Sequence, residues 1–274
     1  MKYIRIAAIA ILILAAGLYG AGVVKEKQEE DPTRPTITSD REVLEISVNY
    51  TEEDLLQGLS AYDEKDGDLT SQILIGEFSQ FVQKGVCNLS YVVFDSSNQA
   101  ANLNRQVRFT DYESPKITLS QPLVFIAGRS STPISYIGAQ DVLDGDISAL
   151  VSQVESTISY NIPGDYTFSV EVTNSLGDVE ELTLPVHVVE EEESQALEIQ
   201  LSDALIYLDV GESFRAEDYI EELVDASGRS LSTNLIDISS DVNTRQEGCY
   251  EVHYQAEDEN GNRGETWLVV VVRE

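Results

Sequence analysis

The chain has 274 residues, with 49 acidic against 17 basic side chains and a formal charge of −32 at neutral pH. Phosphate-backbone binding needs clustered Lys and Arg, and the sequence offers only the scattered Arg105 and Arg108, so nucleic acid is excluded as a partner. A hydrophobic fraction of 42% still permits ordinary cores and the length suits two or three domains, while the acidic surface keeps an extended chain soluble and attracts cations and basic partners.

At the N-terminus, Lys2 and Arg5 precede a run from Ile6 to Val24 with no charged residue, followed by the polar KEKQEEDPTRP. Nineteen residues at about 1.5 Å each span roughly 28 Å, close to the hydrocarbon thickness of a bilayer. The basic flank is expected to stay inside and the acidic remainder to cross. Residues 1–24 thus read as an uncleaved signal anchor, a transmembrane helix that makes the protein a single-pass component of the cell membrane with extracellular C-terminal domains. The alternative is a cleaved signal peptide and secretion. No cysteine follows the apolar run to carry a lipid, and the chain stops at Glu274 directly after a strand, so surface attachment is expected to rest on this helix.

Residues 25–34 form a charged, proline-bearing linker, and Pro35 opens a first domain over 35–112. It begins with an apolar strand through Val43, Leu44, Ile46 and Val48, then TEEDLLQGL, where Thr51 can cap a short helical turn carrying Leu55 and Leu56. AYDEKDGDLT, a strand near Ile73 to Ile75, the strand after Gly85, and a last strand through Leu103, Val107 and Phe109 follow. A second domain over 115–190 repeats the order, with Ile117 and Leu119, Val124 to Ile126, AQDVLDGDIS and a closing LTLPVHVV. After an acidic linker at Glu190 to Ser194, a third domain over 196–274 carries Leu205 to Leu208, a helical turn in RAEDYIEEL, and a closing WLVVVV. Six or seven short strands per unit, separated by turns, predict an all-β chain of two-sheet sandwiches.

Three stretches are one pattern written three times: GVCNLSYVVFDSSN from Gly85, GDYTFSVEVTNSLG from Gly164 and GCYEVHYQAEDENG from Gly248. Their period of roughly eighty residues suits small all-β domains and is too long for solenoid repeats. Alternation places Tyr166, Phe168, Val170 and Val172, and likewise Tyr250, Val252, Tyr254 and Ala256, on core faces. The same register puts Cys87 inside with Leu89, Tyr91 and Val93, and Cys249 outside with Glu251 and His253, so the two cysteines are not expected to pair. Trp267, the only tryptophan, cannot form a multi-aromatic platform by itself but can anchor a contact.

The pattern A-x-D-x-x-D-G-D, an apolar residue and then Ser or Thr occurs at Ala61–Thr70 and Ala139–Ser148. Combined with the strand pattern G-x-Y-x-V-x-Y-x-A-x-D-x-x-G-N, fullest in the third domain, it resembles the bacterial immunoglobulin-like modules of insecticidal crystal proteins and Gram-positive surface proteins. The first domain departs at Cys87, the second has VTNSLGD in place of AxDxxGN, and the third has VDASGRSL in place of the acidic motif. The resemblance implies three tandem immunoglobulin-like sandwiches after the N-terminal transmembrane helix.

Two chemistries are open to these residues. Asp63, Asp66 and Asp68, and Asp141, Asp144 and Asp146, gather carboxylates that calcium favours, but their spacing is not that of an EF-hand. The simpler expectation is a structural turn in which Gly67 or Gly145 takes positive φ and the Asp side chains accept backbone N–H groups, with no metal and no cofactor. Catalysis finds no support, because His187 and His253 are the only histidines and lie in different domains, and Cys249 sits about 13 Å along the strand from His253. The expected function is non-catalytic display at the bacterial surface for adhesion or binding of a protein or glycan ligand. The alternatives are a pure spacer or stalk and a calcium-stiffened extracellular module.

Overall fold

The computed structural model describes residues 15–19, 32–190 and 196–274. Most of the expected transmembrane segment over 1–24, most of the linker over 25–34, and residues 191–194 of the acidic linker lie outside the described residues. Residues 15–19 are helical, and no helix among the described residues is long and apolar enough to cross a membrane.

The described part is all-β and repeats one seven-strand plan three times. The first repeat holds β1 (Thr36–Ser39), β2 (Val43–Ile46), β3 (Leu59–Asp63), β4 (Gly67–Asp68), β5 (Leu74–Phe78), β6 (Val86–Phe94) and β7 (Ala100–Phe109). The second holds β8 (Lys116–Leu119), β9 (Val124–Ile126), β10 (Ile137–Asp141), β11 (Gly145–Asp146), β12 (Ser152–Ser156), β13 (Gly164–Thr173) and β14 (Val179–Val189). The third holds β15 (Leu197–Leu201), β16 (Leu205–Asp209), β17 (Ile220–Asp225), β18 (Ser230–Leu231), β19 (Ile236–Ser240), β20 (Gly248–Glu257) and β21 (Arg263–Arg273). Each repeat folds into a three-stranded sheet, ordered β1-β3-β4 in the first, and a four-stranded sheet, ordered β2-β7-β6-β5. The second strand of each repeat runs parallel to the last one, and the other pairs are antiparallel.

Alternation along the long hairpin strands builds the cores. Leu89, Tyr91 and Val93 of β6, with Cys87, are at most 1% exposed, as are Val170 and Val172 of β13 and Val252 and Tyr254 of β20. Tyr166 and Tyr250 sit at the rim, half-buried, with each hydroxyl donating to a carbonyl four residues earlier. Tyr91 Oη donates to Leu55 O at 2.7 Å and Tyr254 Oη to Ala216 O at 2.8 Å, so each buried ring ties the sheet to a helical turn. In the first repeat that turn is Glu52–Leu56, capped by Thr51 through a reciprocal bond with Asp54. Arg105, 2% exposed, completes the tie by donating to Leu55 O, Gln57 O and Tyr91 Oη.

The chain divides into two compact units, Met1–Asp111 and Tyr112–Glu274. Within the second unit, the third repeat packs onto the second through β21. Leu268, Val270 and Val272 point into the third repeat's own core, while Val269 and Val271 join the core cluster of the second. A strand buried on both faces reads as an unbroken apolar run, which is why WLVVVV lacks the alternation of the other strands. Burying a valine side chain is worth about 1.5 kcal/mol or more, so these two residues alone bind the repeats firmly.

Candidate functional site

The acidic motif forms a turn in which every conserved letter of the pattern has a task. Asp63 Oδ1 accepts from the backbone N–H of Lys65 at 2.8 Å and of Asp66 at 3.1 Å, and Asp141 Oδ1 does the same for Leu143 and Asp144. Gly67 and Gly145 take φ of 78° and 72°, which a side chain would strain. Asp68 accepts from Thr70 N and Asp146 from Ser148 N, and hydrogen bonding to the Thr70 and Ser148 side chains first, then to these N–H groups, holds both carboxyls below the usual carboxylate range. The apolar residues Leu69 and Ile147 are buried, and the hydroxyls of Thr70 and Ser148 accept from the N–H of Ala61 and Ala139. Asp66 and Asp144 reach across to the turn that ends the repeated strand, where Oδ2 accepts from Ser96 N and Ser175 N, each at 2.7 Å. Of the six aspartates singled out by sequence, Asp66, Asp68, Asp144 and Asp146 are thus committed to backbone N–H groups, and only Asp63 and Asp141 are buried. Two residues outside the motif, Asp95 and Asn174, complete the pair of turns.

The second constellation was not foreseen. The two histidines, read as separate by sequence, lie on opposite faces of Trp267. His187 of β14 stacks at 3.9 Å between ring centroids and 8° between planes, and His253 of β20 stacks at 4.1 Å and 6°. His253 is the direct cross-strand partner of Trp267, so hairpin register brings those two together. His187 arrives from the second repeat and is 6% exposed, because the docking of β21 covers the outer face of β14. Trp267 does anchor a contact, and that contact is internal. It sits within β21 rather than at its start, since residues from Arg263 to Thr266 already pair with β20.

Three carboxylates surround the stack. His187 Nδ1 lies 2.9 Å from Asp165 Oδ1, and Nε2 lies 2.6 Å from Glu251 Oε1, while His253 Nε2 lies 2.8 Å from Glu265 Oε2. A neutral imidazole can donate from only one nitrogen, so two carboxylate partners call for the imidazolium of His187. Burial alone would lower the pKa of His187, but the hydrogen bonds and charges of Glu251 and Asp165 outweigh it and raise the value. Glu265 is lowered, led by its hydrogen bond with His253. The stack, Asp165 and Glu251 line an open pocket of about 500 Å³ with Ser239, Ser240 and Asp241.

The arrangement does not resemble a nucleophile-activating one. Both ring nitrogens of His187 are engaged, and Trp267 has no free face to offer a sugar ring. Cys87 is fully buried, which pushes its thiol up to about 11, and Cys249 is exposed. Around the stack, Tyr207 Oη donates to Ile117 O at 3.0 Å, and Arg273 lies over the Tyr207 ring at 4.5 Å and 3.4 Å from Glu180, so polar contacts extend the junction beyond the valines. The sequence signal for this junction was the pair of strands, PVHVV and WLVVVV, whose outer faces are apolar as well as their inner ones.

Residues 200–272 match the family model described as "Bacterial surface protein, Ig-like domain". The pesticidal crystal protein Cry22Aa of Bacillus thuringiensis is 28% identical over 249 residues, covering 88% of this chain and 33% of that protein. An uncharacterised 81.3 kDa protein of Acholeplasma phage L2 is 29% identical over 139 residues, covering 50% of this chain and 18% of its own length. The chain therefore spans a third or less of these relatives. A Clostridium perfringens ZmpB structure, containing an M60 catalytic domain with CBM51-1 and CBM51-2, matches at 14% identity over 89% of this chain and 31% of that one, with a TM-score of 0.25. The resemblance to bacterial immunoglobulin-like repeats, including those of insecticidal crystal proteins, is borne out.

Proposed function

From the premise that this chain carries bacterial surface immunoglobulin-like repeats, we propose that it is a non-catalytic display array outside the cell, anchored by the apolar segment at 6–24. In this reading its three domains, over 35–112, 115–190 and 196–274, present exposed edges and end loops to a protein or glycan ligand. The second and third act as one stiff arm. The observation that carries this reading is the two-sided burial of β21, with Val269 and Val271 in the second repeat's core and the stacked His187, Trp267 and His253 beside them. A junction with its own apolar core and ion pairs sets the direction in which the surface beyond it points.

Recognition falls to the edges of the four-stranded sheets. In the second repeat β12 is an edge strand exposed at all five residues, with Val154 49% exposed. A bulge between Gln153 and Glu155 twists it and limits indiscriminate pairing. The test is to screen the full chain against glycan and host-surface protein panels, with Val154→Lys as the edge variant. Saturable binding that the variant weakens at least tenfold supports recognition through β12.

The pure spacer reading is favoured by one observation: both faces of the only tryptophan are covered within the molecule. Absence of any saturable partner, together with accessibility of the repeats to protease on intact cells, would establish spacing over adhesion. N-terminal sequencing of the mature protein tests the anchor, since loss of residues 6–24 would make the protein secreted.

A further inference from the structure

The three repeats build the same pair of turns and fill the space between them differently. In the second, Asp141 Oδ2 receives Asn174 Nδ2 at 3.1 Å, and Asn174 also donates to Tyr112 Oη at 2.9 Å. In the third, Arg229 covers Asp225 Oδ2 through Nη2 at 3.0 Å and Nε at 3.1 Å, and Asn262 Nδ2 donates to Asp258 Oδ2 at 2.7 Å. In the first, the corresponding residues are Asp63 and Asp95, 1% and 6% exposed, and Oδ2 of each is buried with no hydrogen-bond partner among the described residues.

The groups that fill the space elsewhere are missing from the first repeat. By count from the shared aspartate, Gly67 stands where the third repeat has Arg229. By count from the opening proline, Pro32 stands where the second has Tyr112. Gln99 replaces Asn262 and turns its amide to Thr33 O at 2.5 Å. The turns themselves are held as in the second repeat, by Asp66 on Ser96 N at 2.7 Å. Each Oδ1 also accepts two backbone N–H groups, from Lys65 and Asp66 on Asp63 and from Ser97 and Gln99 on Asp95. Each carboxylate is thus fixed through Oδ1, with Oδ2 left over.

We propose that Asp63 Oδ2 and Asp95 Oδ2 hold a divalent cation, calcium in the first instance, in the first repeat alone. Two buried carboxylate oxygens without donors are the hard ligands such an ion takes. The ligand set differs from the sequence candidates: Asp95 enters, Asp66 and Asp68 are occupied by backbone, and the second repeat has no such site because Asn174 fills it.

The test uses the full chain. Scanning calorimetry with calcium or with chelator should show one transition that calcium raises by about 5 °C or more. Titration calorimetry at physiological salt should show one site. Asp95→Asn copies the second repeat's solution, so it should fold, lose the site and lose the calcium response. Asp63→Asn serves if that variant is unstable. A response that persists in both variants would place the ion elsewhere and overturn the assignment. So would a melting curve of the full chain that calcium and chelator leave unchanged.

Discussion

Replacing Trp267 by alanine should uncouple the second and third repeats. The ring has two near-parallel partners, at 3.9 and 4.1 Å. Each aromatic contact is worth about 0.5–1.5 kcal/mol beyond burial, and a desolvated cation over indole about 2 kcal/mol. His187 bears the cation, so Trp267→Ala should cost about 3 kcal/mol near pH 6, of which about 1–2 kcal/mol is shared with His187 in a double-mutant cycle with His187→Ala. Calorimetry of the full chain checks this: the second unit should melt as one transition in the parent and as two in the variant. The coupling should shrink when the pH is raised enough to neutralise His187. Strictly additive single mutants, with a coupling below about 0.5 kcal/mol, would mean that the stack lies at the junction without holding it.

The same residues predict a pH optimum. His187 is raised above its ordinary 6.5 in the folded protein, so its contribution is full below 6.5 and is lost as pH rises through the folded value. Glu265 is lowered from 4.5, so its contribution is full above 4.5 and is lost as pH falls through its folded value. Thermal stability of the second unit should therefore peak between these limits, and His187→Gln should flatten the alkaline side; an unaltered profile would reject the assignment. In the first unit, Arg105→Met should cost about 2–4 kcal/mol in urea denaturation, because it strips the donors from Leu55 O, Gln57 O and Tyr91 Oη. A loss under about 1 kcal/mol would show that water replaces the guanidinium. Gly264→Ala should destabilise the third repeat by about 1–3 kcal/mol, since its Cβ would lie 2.1 Å from the backbone oxygen of Leu197 and β15 must shift away from β21. An unchanged melting temperature would mean that the strands separate freely there.

What the sequence made legible was local and periodic. Alternation after Gly85, Gly164 and Gly248 placed Tyr91, Val170 and Tyr254 inside, because one buried sheet face leaves a period of two. It placed Cys87 inside and Cys249 outside for the same reason. The acidic turn was readable because Gly67 and Gly145 need positive φ and the neighbouring aspartates have N–H groups within reach. The contact of His187 with Trp267 was not legible because alternation within a strand says which residues face outward but not what covers them. The stack joins residues eighty positions apart, and no period encodes that. The trace left in the chain was indirect, in the valines at 269 and 271, which have no reason to be apolar on a solvated face.

Asp95 marks the same limit in the acidic turns. The sequence separates FDSSN, TNSLG and EDENG by single letters, and those letters look like variation at the end of one strand. Only the fold shows that this second letter lies in a turn bonded to the acidic one, by Asp66 on Ser96 N in the first repeat and Asp144 on Ser175 N in the second. In the second repeat that letter is Asn174, a donor, and the pair closes on itself. In the third it is Asp258, to which Asn262 donates, while Arg229 forms an ion pair with Asp225. In the first it is Asp95, with neither remedy, and two oxygens remain buried without donors. One scaffold thus carries three solutions to a single electrostatic problem, two of them complete within the chain. The incomplete one leaves Asp63 Oδ2 and Asp95 Oδ2 buried without a donor among the described residues, which is why the first repeat is the one on which the cation titration bears.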